Sequence, residues 1–340
     1  MNLTLPSIKN VDVSGKTVFL RADVDVPTAD GHILDEIRLN AWLPTLKFLL
    51  NKRVKVVVAG HLGRPKGVAS DELSLEPVTK WLEIQTNLKV HKEQLGDFPG
   101  WKFADNLFLL ENLRFFKEEE ENSSEFAKKL AGLADIYVND AFAVSHRRNA
   151  STFEIAKYLP HFAGFRLEEE VKVLAGFMED PKRPFIVIVG GAKIETKLPL
   201  IQKMSEIADN VLVGGKLAAE TEALSKVGGS LVTAKLTESG FDVTEESLKI
   251  FLEIIKSAKT VVWNGPLGKI EDAGGVEQTR RLAHGIIESG AKCVVGGGDT
   301  IAFLDKEKIL DKFSFYSIGG GAMLAFLSGE KLPGLEALQS

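Results

Sequence analysis

Two groups of residues in this chain have types and spacings suited to phosphate chemistry. The first is five arginines at or just beyond short apolar runs. Arg21 opens Arg21-Ala22-Asp23-Val24-Asp25-Val26-Pro27, and Arg38 follows in the next segment. Arg64 lies in Gly60-His61-Leu62-Gly63-Arg64-Pro65, Arg114 follows Leu110-Glu111-Asn112-Leu113, and Arg147 ends the segment 139–147. A guanidinium grips carboxylate or phosphate through two parallel hydrogen bonds. Any one of these arginines alone is most simply a surface ion pair. Together, at matching positions, they describe a cavity for a small, multiply charged anion, with Asp23 orienting Arg21 or Arg38.

The second group is a series of glycine turns in the other half of the chain. They are Gly190-Gly191-Ala192-Lys193-Ile194-Glu195-Thr196-Lys197, Gly214-Gly215, Trp263-Asn264-Gly265-Pro266-Leu267-Gly268, Gly296-Gly297-Gly298-Asp299-Thr300 and Gly319-Gly320-Gly321-Ala322. Glycine permits a sharp strand-to-helix turn and close approach of a ligand to backbone N–H groups. Lys193 and Lys197 are four apart, so on a helix they share a face and can point at one phosphate. Asp299 is suited to Mg²⁺, which uses one or two carboxylates plus nucleotide phosphates; a helix N-cap is its plainer role, and the two are compatible. The spacings of a P-loop and of a dinucleotide fingerprint are both absent.

The elements that must position these residues follow from the apolar pattern. Strands are expected over 17–22, 54–59, 107–110 and 136–138, with a helix over 39–50, and again over 185–189, 210–213, 260–263, 292–295 and 313–317. Strands alternating with helices imply crossover units and parallel sheets, whose ligands sit beyond the C-terminal strand ends. Both groups fall there. A helix opening at Gly164-Phe165, with Leu167, Val171, Leu174 and Met178 apolar and Pro181 beyond its end, reads as a connection between domains. With 340 residues the chain exceeds one hydrophobic core. The expected division is 1–163, a connecting helix over 164–180, 181–327, and a segment 328–340 packing back on the first domain. The acidic run 118–121 reads as the solvated start of a helix.

Composition narrows the function classes. Apolar and charged fractions of 44% and 26% are those of a globular protein, and a net charge of −5 gives no global basic field for nucleic acid. The single cysteine, Cys293, excludes an intrachain disulfide, points to a reducing compartment and reads as a buried thiol. The apolar runs are too short to span a bilayer and no signal pattern opens the chain, so a cytoplasmic location is expected. No Ser/His/Asp or Cys/His arrangement asks for a general base.

The order and spacing of 190–197, 260–268 and 296–300, supported by 139–147 and 60–65, resemble the phosphoglycerate kinase family, and the resemblance runs from about Val13 to Leu338. It implies an α/β fold of two Rossmann-like parallel-sheet domains joined by a connecting helix. It implies phosphoryl transfer between ATP and 3-phosphoglycerate, giving 1,3-bisphosphoglycerate and ADP, with Mg²⁺ accompanying the nucleotide. It implies that Arg21, Asp23, Asp25, Arg38, His61, Arg64, Arg114 and Arg147 hold the glycerate, with Arg38 also steadying the transferring phosphoryl group. Lys193 would follow that group across and Lys197 would bind nucleotide phosphate. Gly191, Ala192, Gly214 and Gly215 would lie near the adenine, Asn264 and Gly298 near the phosphates, and Glu271 at the ribose. Asp299 would associate with magnesium, Thr300 would start its helix, and Gly319, Gly320 and Gly321 would offer N–H groups to the phosphoryl group. The substrate is a carboxylate, ionised at neutral pH, so in-line positioning and electrostatic stabilisation carry the rate, and the domains must close for transfer. The expected partners are these small molecules alone, with no nucleic acid or membrane, and the chain acting as a monomer.

The chain departs from the family pattern in four single positions and one segment. Asp25 stands for asparagine, Asn149 for a second histidine, Ile318 for threonine and Lys216 for a third glycine. An added carboxylate at Asp25 weakens anion binding unless an arginine or a proton neutralises it. The stretch 216–240 is shorter than the family's, which includes a helix, a strand and a Leu-Pro-x-Asp segment there, so the resemblance implies that nucleotide affinity or base preference differs. The alternative reading is a non-catalytic nucleotide- or phosphate-binding relative; the intact arginines with Lys193, Lys197, Glu271 and Asp299 favour an active enzyme.

Overall fold

The computed structural model describes residues 4–192, 194–218 and 231–339. The described chain divides into two compact units, one of Lys172–Glu330 and one joining the described residues up to Val171 with those from Lys331 on. The division falls inside a single helix, Phe165–Glu179.

The first unit is built on a seven-stranded sheet in the order β5-β6-β7-β4-β1-β8-β9. Its strands are β1 (Thr17–Arg21), β4 (Lys55–Ala59), β5 (Val90–Leu95), β6 (Phe98–Phe103), β7 (Leu107–Leu110), β8 (Ile136–Asn139) and β9 (His161–Ala163). A separate two-residue hairpin, β2 (Thr28–Ala29) and β3 (His32–Ile33), follows β1. The runs Val18-Phe19-Leu20 and Val56-Val57-Val58 are buried on both sides, as central parallel strands must be. Leu39, Trp42 and Leu46 of α1 (Ile37–Asn51) close over them, each such side chain contributing about 1.5–3 kcal/mol on burial.

The sheet is parallel from β7 through β4, β1 and β8 to β9, as expected, and antiparallel only at its other edge. β5 and β6 form an antiparallel hairpin, and β6 also runs antiparallel to β7. β5 carries His91-Lys92-Glu93-Gln94, all exposed, so no apolar run announced it. A half-solvated edge strand has no need of one.

The second unit has a six-stranded sheet in the order β12-β11-β10-β13-β14-β15, with every pairing parallel. Its strands are β10 (Phe185–Val189), β11 (Asn210–Val213), β12 (Leu231–Thr233), β13 (Thr260–Asn264), β14 (Lys292–Gly296) and β15 (Phe315–Ser317). The register is what matters for function. Val189 pairs with both Val213 and Asn264, Asn264 with Gly296, and Gly296 with Ser317. Consequently the strands end level, and the turns after β10, β11, β13, β14 and β15 emerge along one edge. Each of those turns is a glycine turn. Cys293 is buried in β14, and burial pushes its thiol well above the usual range.

Candidate functional site

In the second unit the level strand ends enclose a cavity of about 510 Å³. Gly191, Ala192, Lys197, Gly215, Asn264, Glu271, Gly298, Asp299, Thr300, Gly320 and Gly321 all line it. Gly214 does not: it is buried with Leu267 packed over the place of its missing side chain. Lys193 lies outside the described residues.

Glycine is required in these turns by close approach. Gly265 has φ +92°, and a Cβ there would collide with the Gly190 carbonyl and with Lys197 Nζ. Gly215 has φ +64°, and its Cβ would stand 2.5 Å from the Gly191 carbonyl oxygen. The turns at Gly190-Gly191 and Gly265 are thereby drawn together beside one ammonium, and the Gly215 turn packs on the first of them. Lys197, in the helix Ile194–Ile207, donates to the Gly190 carbonyl. Burial pulls its value down to about 8, against the opposing charge of Asp299.

The helices Gly298–Lys306 and Gly321–Leu327 begin at the cavity, so their unsatisfied N–H groups face it. Asp299 is exposed in the first turn, while Thr300 is buried and its Oγ1 makes no hydrogen bond. Asn264 is more enclosed than its expected phosphate role suggests, its amide donating to Met323 Sδ at 3.9 Å. The mouth includes groups that the glycine pattern did not flag. Phe241 is 43% exposed, and Lys269 holds its ammonium 5.3 Å from that ring while pairing with Asp272 at 2.5 Å. Among the described residues no three His, Cys, Asp or Glu side chains cluster as a metal cage.

The first unit carries its arginines at or beyond the ends of β1, β4, β7 and β8 and, for Arg38, at the start of α1, but they are not equivalent. Arg21 is buried: Nε donates to Ser151 Oγ at 2.8 Å, Nη1 to the Ala22 carbonyl at 2.6 Å and Nη2 to His61 Nδ1 at 3.1 Å. Arg114 is also buried, and its Nη1 donates to the Gly63 carbonyl at 2.8 Å. Glu120 lies 3.4 Å from Arg114 Nε and 4.0 Å from Arg147 Nη1. Arg64 is exposed, and Arg38 and Arg147 are partly so.

Asp25, the family departure, is neutralised where it stands. Its Oδ1 accepts from Gly63 N at 2.9 Å, and its Oδ2 lies 3.5 Å from Arg38 Nη1 and 3.6 Å from His61 Nε2. Burial opposes its ionisation, but these partners outweigh burial and hold the carboxyl far below its ordinary value. His61 is pushed down to about 3 by burial and by Arg21 and Arg114, against the pull of Asp25, so it is neutral at neutral pH. Asp23 is buried, and neither carboxylate oxygen has a hydrogen-bond partner. Burial raises its value, with Arg38 pulling the other way.

The acidic run is corrected here. The short helix Lys117–Glu120 exists, but Glu119 is 1% exposed, with Oε2 and Oε1 accepting from Ser151 N at 2.9 Å and Ser151 Oγ at 2.6 Å. Asn149 is buried too, its Nδ2 donating to the Glu119 carbonyl at 3.2 Å. Asn112 was likewise unflagged; its Nδ2 donates to the Leu62 carbonyl at 2.7 Å and its Oδ1 accepts from Arg114 N at 3.1 Å. No periodicity marks any of these residues, because each acts through hydrogen bonds to particular partners and not through an apolar face.

The sequence model of the family described as phosphoglycerate kinase matches residues 8–239 and 220–330. The phosphoglycerate kinase of Dictyoglomus turgidum is 37% identical, the match covering 99% of this chain and 98% of that protein. That alignment spans 393 positions against a chain of 340, so at least 53 of them have no counterpart here. The structure of phosphoglycerate kinase from Coxiella burnetii matches with a TM-score of 0.82 at 31% identity, over 99% of each chain. That from Pyrococcus horikoshii matches with a TM-score of 0.86 at 29% identity, over 98% of each. Sequence and fold agree, and the chain belongs to the phosphoglycerate kinase family.

Proposed function

We propose that this chain catalyses reversible phosphoryl transfer between ATP and the carboxylate of 3-phosphoglycerate, giving ADP and 1,3-bisphosphoglycerate, with the nucleotide in the second unit's cavity and the acid among the first unit's arginines. The observation that carries this reading is the union of Lys197, two helix N-termini and level glycine turns around one cavity, in a member of this kinase family.

Lys197 supplies a desolvated cation for nucleotide phosphate, where low dielectric strengthens its pull. Gly298 with Gly320 and Gly321 supply N–H groups, Gly191, Ala192 and Gly215 form the wall for the base, and Glu271 meets the ribose. The residues present fit Mg²⁺: Asp299 is a single exposed carboxylate in the cavity, as suits an ion held mainly by nucleotide phosphates. When bound, the ion would neutralise phosphate charge. Lys193 takes the role implied by the family, following the phosphoryl group.

On the acid side, Arg38, Arg64 and Arg147 are the guanidiniums with exposed surface, so they grip the anion, and Arg114 lies behind them. The unpartnered buried carboxylate of Asp23 accepts the substrate hydroxyl, the one donor that 3-phosphoglycerate offers at neutral pH. The nucleophile is already ionised, so no side chain has to remove a proton. We place the enzyme in the cytoplasm, acting as a monomer; no helix among the described residues is long and apolar enough to cross a membrane.

A coupled assay of ATP-dependent phosphorylation of 3-phosphoglycerate tests the reading. Turnover is expected, and a rate no higher than that of Lys197→Ala would leave only nucleotide binding.

A further inference from the structure

Beneath the acid site runs a chain of buried polar groups whose hydrogen directions are fixed by chemistry. Arg21 Nη2 donates to His61 Nδ1 at 3.1 Å. A guanidinium has donors and no acceptor, so Nδ1 must present its lone pair. The neutral imidazole therefore carries its proton on Nε2, which faces Asp25 Oδ2 at 3.6 Å. On the other side, Arg21 Nε donates to Ser151 Oγ at 2.8 Å. The hydroxyl's own proton is left for Glu119, whose Oε1 receives it at 2.6 Å, a distance typical of a charge-assisted bond. Glu119 Oε2 takes the Ser151 N–H at 2.9 Å, and the Tyr137 hydroxyl donates to the Ser151 carbonyl at 3.0 Å. Ser151 and Glu119 are buried and bonded to each other, which leaves neither side chain for a bound anion. A buried guanidinium requires a countercharge. Glu119 supplies one from the inner side, which leaves Asp25 to His61, Gly63 and Arg38.

We propose that Glu119, acting through Ser151 and Arg21, is a positioning residue of the acid site that holds His61 as the Nε2–H tautomer directed at Asp25. Asp25 is thereby kept turned to its partners and not toward an incoming anion. The proposal rests on the reading of this cluster as the glycerate site, and it assigns Arg21 to the frame of that site, leaving the grip to the exposed arginines. It also accounts for how this chain accommodates a carboxylate at Asp25.

The test uses the full chain with Glu119→Gln and Ser151→Ala. Long-range ¹H–¹⁵N spectra of the histidine rings, with His61→Asn for assignment, are expected to show one Nε2–H tautomer for His61 in the parent. Both tautomers, or a protonated ring, are expected in the variants. KM for 3-phosphoglycerate is expected to rise about tenfold in each, the effect of losing one charge-assisted bond, with KM for ATP unchanged. His61 remaining a pure Nε2–H tautomer in both variants would overturn the proposal. So would a parallel rise in both KM values, which marks a merely structural role. If Glu119→Gln does not fold, Ser151→Ala decides alone, since it truncates one hydroxyl and leaves the carboxylate. If the parent fails to turn over 3-phosphoglycerate, the substrate reading falls, and the spectra still decide the positioning role.

Discussion

The two candidate sites, one in each unit, are built from opposite materials. The acid side is made of side chains that already satisfy one another: Arg21 with Ser151 and His61, Arg114 with Gly63, and Asp25 with Gly63, Arg38 and His61. The nucleotide side is made of backbone, with glycine turns and two helix starts around one buried lysine. A small anion with fixed geometry suits a preformed frame of charges, because the frame is oriented before the ligand arrives. A triphosphate suits N–H groups at helix ends, which present partial charge without side-chain entropy to lose. The difference predicts where single substitutions do most harm. Of the described lysines that line the second unit's cavity, Lys197, Lys216 and Lys269, Lys197 is the one drawn in among the turns, whereas the acid side spreads its enclosed charge over several residues.

The largest effect is therefore expected at Lys197. Lys197→Ala removes the ammonium held between the Gly190-Gly191 and Gly265 turns and should lower kcat/KM for ATP by about 10²–10³, the usual loss for a preorganised charge at a reacting phosphate. The KM for 3-phosphoglycerate should stay within a factor of about two, because the proposed acid site is built from residues of the other unit. Steady-state kinetics with each substrate varied separately check this. Equal losses for both substrates would break the contrast between the two regions.

How much of this was legible in the sequence follows the same contrast. Glycine turns announce themselves, because a ligand-facing backbone needs glycine at fixed places after each strand, and β10, β11 and β7 fall at 185–189, 210–213 and 107–110 as their apolar runs indicate. The acid side was legible only in its arginines. That Arg21 points inward while Arg64 points outward depends on Ser151 and Glu119, which come from distant segments and carry no spacing signal. Glu119 sits in an acidic run that reads as a solvated face, and burial of one carboxylate among four is invisible to pattern. The hairpin β5-β6 was missed for the complementary reason, since an exposed edge strand has no apolar alternation to show. The shorter stretch near 216–240 was legible only by resemblance. The two family matches overlap at 220–239, which fits missing positions there, and residues 219–230 lie outside the described residues.

A smaller effect, of opposite sign, is expected at Asp25. Asp25→Asn restores the family's residue and removes a carboxylate that competes with substrate for Arg38. The pair is partly exposed, so its strength is of the order of 1 kcal/mol, and KM for 3-phosphoglycerate should fall about fivefold with KM for ATP unchanged. A rise would show that the aspartate had become part of the frame. That outcome would sharpen the contrast, because a preformed set of charges tolerates no deletion even when the deleted charge has the sign of the ligand.

The smallest effect concerns stability and not turnover. Asp23, Glu119 and Asp140, all in the first unit, are buried carboxyls held above their ordinary values, chiefly by burial; the second unit's one counterpart among the described residues is Asp242. Asp140 is the clearest case, raised to about 7 by burial against bonds from Thr45, Leu167 and Arg166. Its Oδ1 accepts from Leu167 N at 2.9 Å, at the start of the helix Phe165–Glu179, and its Oδ2 has no partner. A carboxyl with a raised folded-state value favours the fold while it is protonated, fully below about 4, and that contribution is lost as pH rises through about 7. Asp140→Asn mimics the protonated state at every pH. Thermal unfolding from pH 4 to 8 should therefore show the parent losing ground to Asp140→Asn as pH rises, by a few degrees at most, with the gap levelling off above about 7. A gap independent of pH would mean that Asp140 is ionised throughout, held so by the N–H groups at the helix start. The buried charge of the first unit would then be a standing feature of its frame, and the contrast with the backbone-built cavity would widen.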